Sequence, residues 1–439
     1  MTDDFTAANA ELEARGFTRM VFDLDRMKAL LDHLGNPQRA FRSIHLTGTN
    51  GKTTTARMIE SLLRAHGLRT GRYTSPHLKT IRERISIDGE PISEEDFVRV
   101  YGEVGPVAHL VDAQLGETLT YFDVTTATAF AAFADAPVDV GVIEVGLGGE
   151  TDSTNVLGAE VAVITPIGMD HAEFLGDRIE DIADMKAGIV HKGATLVTAR
   201  QEPEAMEALL RRTAQVGASV VREGKDFGVE ERYLAFGGQV LTLQGLGERY
   251  EEVFVPLHGA HQAQNAAVAL AAVETLLGTG LDAEVVREGF AQVTSPGRLE
   301  RVRTAPTVLL DAAHNPHGMK ATVDTVRDEF SFERLVTVIG SVEGKDVLGM
   351  LELLEPITDR LIVTRSSTPR AMAPAKLGRL AEDVFGEERV RVVPHLPDAI
   401  ELAVTLAEED QGVTLGTAGV LITGSVFTVG EARTLLVRE

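Results

Sequence analysis

The stretch Thr47 to Thr55, TGTNGKTTT, stands between an apolar run, Ser43-Ile44-His45-Leu46, and a helical pattern running from Ala56 through Leu63 to Gly67. A strand, a glycine-rich turn and a helix in that order constrain a chain strongly. The turn aims successive backbone N–H groups at one point, and the helix start adds partial positive charge there. Such a turn takes phosphate, with Lys52 reaching the terminal phosphates and Thr53 or Thr54 offering a hydroxyl to phosphate or metal. The common pattern G-x-x-x-x-G-K-[ST] has an earlier glycine; here Leu46 holds that place and glycine appears at Gly48.

The 439 residues make room for two or three domains, and 44% hydrophobic content supplies more than one core. Short β-type runs alternate with helical patterns, the signature of α/β units around a parallel sheet. Val138 to Ile143 and Val161 to Thr165 read as buried strands. A second series follows at Val308–Leu310, Leu335–Ile339, Leu361–Thr364, Val390–Val393 and Val420–Thr423. The turn cluster Gln292 to Arg298 places a boundary near residue 295, and Gly224 to Pro256 alternates like a small antiparallel insert. No internal repeat or low-complexity tract interrupts the chain.

Acidic residues outnumber basic ones 66 to 42, a formal charge of −24, which argues against a nucleic-acid backbone or an anionic membrane as partner. Anionic ligands must then be held by loop amides, helix starts, a bound cation and a few placed Arg or Lys. No apolar run approaches the roughly 20 residues that span a bilayer, and the acidic first residues do not read as a secretory signal. A cytoplasmic protein is expected. Cysteine is absent, so any metal is held by oxygen and nitrogen ligands, which moves magnesium up the list.

Glu144 ends a buried strand, where a carboxylate faces the same crevice as the loop after Leu46 and suits magnesium. His171 also follows a strand, and Asp170 beside it favours a polar tip over a packed imidazole. Ser75 precedes a proline, where a hydroxyl equally caps a turn. Lys186 sits in a helical pattern, and an exposed lysine is its default reading. In LLDAAHNPHG, Leu309 to Gly318, Asp311, His314 and Asn315 occupy a strand-to-helix loop of the second series, where polar residues project into a cleft.

Together these pieces resemble the folylpolyglutamate synthase and dihydrofolate synthase family, part of the Mur ligase superfamily. The motifs that carry the resemblance are GTNGKTTT (48–55), TSPHL (74–78), RISIDGEPIS (84–93), EVGLGG with TDSTNV (144–156) and DHAEFLG (170–176). They continue with KAGI (186–189), HQAQNA (261–266), SPGRLE (295–300), LDAAHNPHG and ITGSVFTVGEAR (422–433). That superfamily uses a loop without the earlier glycine, so Leu46 is accounted for.

The resemblance implies an α/β fold: a P-loop-type ATPase domain on a mostly parallel sheet, residues 1–295, and a smaller Rossmann-like glutamate-ligase domain, residues 296–439. It implies ATP, bound by Gly48, Thr49, Asn50, Gly51, Lys52, Thr53, Thr54, Asn265, Arg298 and Asp311. Magnesium, at two sites, falls to Ser75, Glu144, His171 and a carbamylated Lys186; His314 stands near the transferred phosphate. The activity implied is amide formation between L-glutamate and the carboxylate of a folate or dihydropteroate through an acyl phosphate, by a monomer. The acceptor is expected near Ser75 to Ile87, with Arg82 and Arg84 toward its anionic tail, and near Phe122, Asp123, Asp152, Thr154 and Asn155. Arg370 is the candidate for the glutamate carboxylates.

Three positions depart from the family pattern: Glu150 where arginine is usual, Met185 where an acidic residue is usual, and Thr53 where many members have glycine, a change of little weight because the Mur relatives share it. A peptidoglycan-type Mur ligase shares the chemistry, but only Met1 to Thr47 precede the loop, too little for a sugar-nucleotide domain. A nucleotide-binding relative without turnover is the third reading, motivated by Glu150 and opposed by Lys52, Ser75, Glu144, His171 and Lys186.

Overall fold

Eight strands build the first sheet of the protein, seen in a computed structural model that describes residues 2–16, 19, 21–409 and 417–437. They are β1 (Arg42–Thr47), β2 (Thr70–Tyr73), β3 (Ile85–Ile87), β4 (Glu90–Pro91), β5 (Val140–Glu144), β6 (Val161–Ile164), β7 (Thr195–Thr198) and β8 (Ser219–Arg222). Their order is β4-β3-β2-β5-β1-β6-β7-β8, parallel from β2 to β8 with the antiparallel strands β3 and β4 at one edge. The chain leaves β1 toward β2 on one side and leaves β5 toward β6 on the other. The crevice of such a sheet opens at the carboxyl ends of these central strands.

β5 and β6 are buried along their whole length, and β1 everywhere but Arg42. That is why they read as continuous apolar runs and not as alternating ones. Helices Glu94–Leu115 and Tyr121–Asp135 build one core with Tyr73 and Ile143, and helices Ile179–Ala187 and Pro203–Val216 build another with Ala162, Ile164 and Leu196. Helix Ala283–Ala291 lies against helix Lys52–Ala65, Ser61 Oγ donating to the Gly289 carbonyl at 2.6 Å. A three-stranded sheet of β9 (Gly228–Ala235), β10 (Gly238–Gln244) and β11 (Arg249–Val255) occupies the stretch that alternates in the sequence.

The chain divides into two units. One comprises Met1–Ala235, Gln239–Pro256 and Gln262–Val293; the other comprises Thr294–Glu439 with the short pieces Phe236–Gly238 and Leu257–His261. The second unit carries β12 (Glu300–Thr304), β13 (Thr307–Leu310), β14 (Arg334–Ile339), β15 (Arg360–Arg365), β16 (Val390–His395) and β17 (Ala418–Thr423), in the order β12-β13-β17-β14-β15-β16. All are parallel except β12, which pairs antiparallel with β13. β12 is mostly exposed, so it leaves no apolar run in the sequence.

His45 sits in the middle of β1 with no solvent exposure. Thr154 Oγ1 donates to Asp152 Oδ1 at 2.5 Å, so the His45 ring must donate from Nε2 to Thr154 Oγ1, 2.8 Å away. Burial, with His191 nearby, pushes its pKa down to about 3. An unfolded histidine takes up its proton near pH 6.5, so between about pH 6 and 4 the unfolded chain binds one proton that the native chain does not. This contribution is complete above pH 6.5 and is lost as the pH falls, at about 1.4 kcal/mol per pH unit. We expect His45→Gln, which keeps an N–H donor, to remove one proton from the acid limb. Denaturant midpoints at pH 7, 6, 5 and 4 measure it, and an unchanged slope would refute the assignment.

Candidate active site

The loop after β1 is shaped by two glycines with positive φ, Gly48 (146°) and Gly51 (88°). A Cβ on Gly48 would lie 1.9 Å from Thr165 Oγ1, and one on Gly51 would lie 2.6 Å from Asn265 Oδ1. Both positions therefore require glycine for conformation and for space. The Thr49 N–H donates to the Pro166 carbonyl at 2.9 Å, the Thr49 hydroxyl donates to Gly168 O at 2.9 Å, and Thr47 Oγ1 donates to Gly148 O at 2.6 Å. The loop is thus stitched to the segments following both β6 and β5.

Two lysines meet on this loop. Lys52 Nζ donates to the carbonyls of Gly48 (3.0 Å) and Thr49 (3.1 Å), and Lys186 Nζ, from helix Ile179–Ala187, donates to the same Gly48 oxygen at 2.9 Å. Lys186 is buried, against the sequence expectation of an exposed side chain. Burial first, then the Lys52 charge, bring its pKa down to about 7, with Asp170 and Asp152 opposing. Near neutral pH a substantial fraction of this amine is unprotonated, which is the nucleophilic form.

Glu144 ends β5, buried, with both carboxylate oxygens against Thr53 Oγ1 (3.0 and 2.9 Å) and with the Ser75 N–H 3.4 Å from Oε2. Thr53, Ser75 and Glu144 are therefore gathered beside the loop. Carboxylate and hydroxyl oxygens without sulfur suit a hard divalent cation. His171 begins the short helix Ala172–Leu175, its Nε2 3.9 Å from Asp170 Oδ2. Among the described residues no three His, Asp or Glu side chains form a metal cage by themselves. Asn265 is buried near the start of helix Ala260–Leu277 and donates to Gln262 Oε1 at 2.9 Å.

The residues expected around an acceptor are largely committed to one another. Asp123 Oδ2 accepts the Thr120 N–H (2.8 Å) and hydroxyl (2.7 Å) and pairs with Arg26 at 3.1 Å, while Oδ1 accepts Ser153 Oγ at 2.6 Å. Asp152 takes the N–H groups of Leu147 (2.9 Å) and Thr154 (3.0 Å); burial raises its pKa and these bonds oppose the rise. Asn155 Nδ2 donates to the carbonyls of Glu150 and Gly188, and its Oδ1 faces His191 Nε2 at 2.8 Å. These side chains brace the loop from Leu147 to Asn155. Phe122 packs over Gly146, where a Cβ would lie 2.5 Å from its ring. Arg82 Nε donates to Ile92 O at 2.6 Å, and Arg84 donates to His77 Nδ1 at 2.9 Å with its guanidinium 5.2 Å from the Tyr121 ring centre.

In the second unit Asp311 follows β13. Its Oδ2 accepts the Leu299 N–H (2.9 Å), and its Oδ1 accepts the Ala313 N–H (3.0 Å) and the Thr322 hydroxyl (2.7 Å). His314 Nδ1–H donates to the Ala312 carbonyl at 3.0 Å, and Asn315 caps helix Pro316–Glu329. Arg298 lies in the turn before β12, half-buried. In the stretch 366–370, Ser367 is held by Glu431 through its N–H and its hydroxyl, at 2.7 Å each, and Arg370 is exposed. Sequence reading passed over the bracing roles of Thr47, Thr165 and Arg26. Their residue types are common, and only the glycine spacing hinted that something must pack closely on the loop.

A family model for the Mur ligase middle domain matches residues 46–273, and one for the Mur ligase glutamate ligase domain matches residues 297–426. A dihydrofolate synthase/folylpolyglutamate synthase of Mycobacterium tuberculosis is 49% identical over 445 residues, covering 96% of this chain and 91% of that one. The chain belongs to the dihydrofolate synthase/folylpolyglutamate synthase family of Mur ligases. A Bacillus subtilis member of the family is 35% identical, covering 93% of this chain and 94% of its own. The solved folylpolyglutamate synthase of M. tuberculosis complexed with ADP superposes with a TM-score of 0.96 at 49% identity, covering 99% of both chains. In this family member the first match begins at Leu46, directly ahead of the loop.

Close packing at Gly51 makes a direct test of the loop. Gly51→Ala forces a Cβ against Asn265 and a strained φ, worth about 1–3 kcal/mol. We expect nucleotide affinity to fall about tenfold or more by titration calorimetry. Wild-type affinity in that variant would show that the loop does not bind the nucleotide.

Proposed function

We propose that this chain is an ATP-dependent ligase that joins L-glutamate to the carboxylate of a folate or of dihydropteroate, through an acyl phosphate, releasing ADP and phosphate. The observation that carries this reading is the delivery of a buried lysine with a depressed pKa, Lys186, onto the carbonyl of a phosphate loop that already holds Lys52. A buried amine with a strongly lowered pKa beside such a loop points to a chemical role. The motif order and the names of the related enzymes support the folate branch over the peptidoglycan one.

On this reading the amides of Gly48 to Thr54 and the Lys52 ammonium hold the phosphates of ATP and align the terminal one. Asn265 of the first unit, and Arg298, Asp311 and His314 of the second, are assigned to the nucleotide and its transferred phosphate on the strength of the family motifs. Neutral Lys186 adds carbon dioxide at Nζ and loses a proton, and the resulting carbamate is an anionic oxygen ligand. Glu144, Ser75, His171 and this carbamate would hold magnesium, which supplies charge neutralisation at the phosphates when bound.

The acceptor carboxylate oxygen attacks the terminal phosphorus as the bond to ADP breaks. The glutamate amine then attacks the acyl carbon, phosphate leaves with its electron pair, and the amine proton passes to solvent. Phe122 and the braced residues Asp123, Asp152, Thr154 and Asn155 shape the acceptor wall, with Arg82 beside it. The Glu150 side chain is exposed while its N–H donates to Met185 O at 2.9 Å, so the substitution leaves the loop geometry intact. A cytoplasmic monomer is assigned on the strength of the family resemblance; the −24 charge opposes nucleic-acid and anionic-membrane partners, and among the described residues no helix is long and apolar enough to cross a membrane.

The test incubates the purified protein with ATP, magnesium and glutamate, and with dihydropteroate, a reduced folate or neither, following ADP release and product mass. ADP release in step with an added glutamate is expected; no amide with either acceptor would sink the proposal. Lys186→Ala should lower turnover about a hundredfold or more, with partial rescue by short carboxylic acids. Full activity without rescue would rule out the carbamate.

A further inference from the structure

Helix Lys52–Ala65 presents Thr53, Arg57 and Glu60 on one face, at the i, i+4, i+7 spacing. The outer two are engaged: Thr53 Oγ1 is on Glu144, and Glu60 accepts Arg72 Nε at 2.6 Å and Ser86 Oγ at 3.3 Å. Arg57, between them, is half-buried and has no hydrogen-bond or ion-pair partner among the described residues. Burial and the neighbouring Arg72 pull its pKa down to about 9, against the pull of Glu60, Glu83 and Glu144. A guanidinium kept partly out of water without a partner costs stability.

The other arginines around it are in use. Arg72 also donates to Thr74 Oγ1 at 3.0 Å, Arg82 holds Ile92 O, and Arg84 holds His77. Phosphate binding does not need Arg57, because the loop amides and Lys52 stand at the helix start. Arg57 lies five residues further on, about 7.5 Å along the axis. Glu144 and Glu83 lie near enough for their charges to act on it. Glu83 accepts the N–H groups of Leu78, Lys79 and Thr80, so it holds the segment after Ser75 in place.

We propose that Arg57 is the residue that holds the reacting carboxylate of the acceptor beside the phosphate loop. The assignment rests on the ligase reading above and adds a substrate contact to it. A planar guanidinium takes both oxygens of a carboxylate in a fork, fixing the plane of the group while one oxygen attacks phosphorus. The acceptor carboxylate then supplies the direct hydrogen-bonding partner that Glu60, Glu83 and Glu144, acting on Arg57 through charge alone, do not.

The test compares wild type with Arg57→Gln and Arg57→Lys, measuring amide formation against acceptor and ATP separately, nucleotide affinity by calorimetry, and thermal unfolding. For Arg57→Gln we expect the acceptor KM to rise about tenfold or more, the KM and affinity for ATP to stay within about twofold, and the Tm to hold or rise. Arg57→Lys should fall between the two, since it keeps the charge and loses the fork. An unchanged acceptor KM and kcat, a rise in ATP KM without one for acceptor, or a lowered Tm that accounts for the loss would each overturn the assignment. Should wild type itself form no amide, the ligase reading falls and this one with it. Should wild type be active while Arg57→Gln keeps its acceptor KM, only the Arg57 role falls.

Discussion

The carbonyl oxygen of Gly48 receives two lysine ammonium groups, Lys52 at 3.0 Å and Lys186 at 2.9 Å. Most of what surrounds the loop follows from that meeting. Burial first, and the Lys52 charge second, lower the pKa of Lys186. The carbonyl reaches both amines only because Gly48 adopts a φ of 146° and brings its backbone against Thr165, at a place where a Cβ does not fit. The loop we assign to the phosphates and the geometry around Lys186 are therefore one structure.

Holding that geometry requires the segment after β5 to be rigid. Its polar side chains do this by satisfying backbone groups: Asp152 receives two N–H groups, Asn155 reaches two carbonyls, and Thr47 reaches Gly148 O. His45 extends the same chain of bonds into the interior of the sheet through Thr154. Buried polar networks of this kind are costly unless every member is satisfied, and here most members are. The His45 Nδ1 and two nitrogens of Arg26 are exceptions. Arg26 still ties the Val21 carbonyl to Asp123, at 3.0 and 3.1 Å, fixing the segment ahead of β1 to the helix that starts at Tyr121.

The sheets were legible in the sequence because parallel strands buried on both faces leave runs such as VGVIE and VAVI. The edge strands β4 and β12 left weaker traces because they are mostly exposed, and β3 because it has only three residues. Strand order was not legible at all: nothing local to Val140 to Glu144 says that β5 inserts between β2 and β1. At the site, residue type and spacing located the loop, Glu144 and Ser75, which the fold gathers. They were silent on where each polar atom spends its hydrogen bonds. Asp123 and Asp152 look alike in sequence to ligand-facing carboxylates, and their oxygens are filled by neighbours. Arg57 looks like any cation on a helix surface, and only the engagement of Thr53 and Glu60 on either side marks it out.

The departures from the family pattern at 150 and 185 follow the same division between backbone and side chain. Glu150 contributes its N–H to Met185 O and its carbonyl to Asn155 Nδ2, bonds that any residue provides, while its carboxylate points to solvent. Met185 packs with Leu147 and Ile179 against the core that carries Ile182 and Leu196, a place where an apolar, flexible side chain is at home. Neither substitution touches the atoms that hold Gly48, Lys52, Lys186 and Glu144 together. What they change is charge: an anion in place of the usual cation at 150 and a neutral side chain in place of an acidic one at 185. Since the bonds around the loop are made by backbone and by other side chains, what these two residues alter is the local electrostatic field. Such a field acts on the approach of charged ligands, whereas the shape of the loop is set by the close contacts of Gly48 with Thr165 and of Gly51 with Asn265.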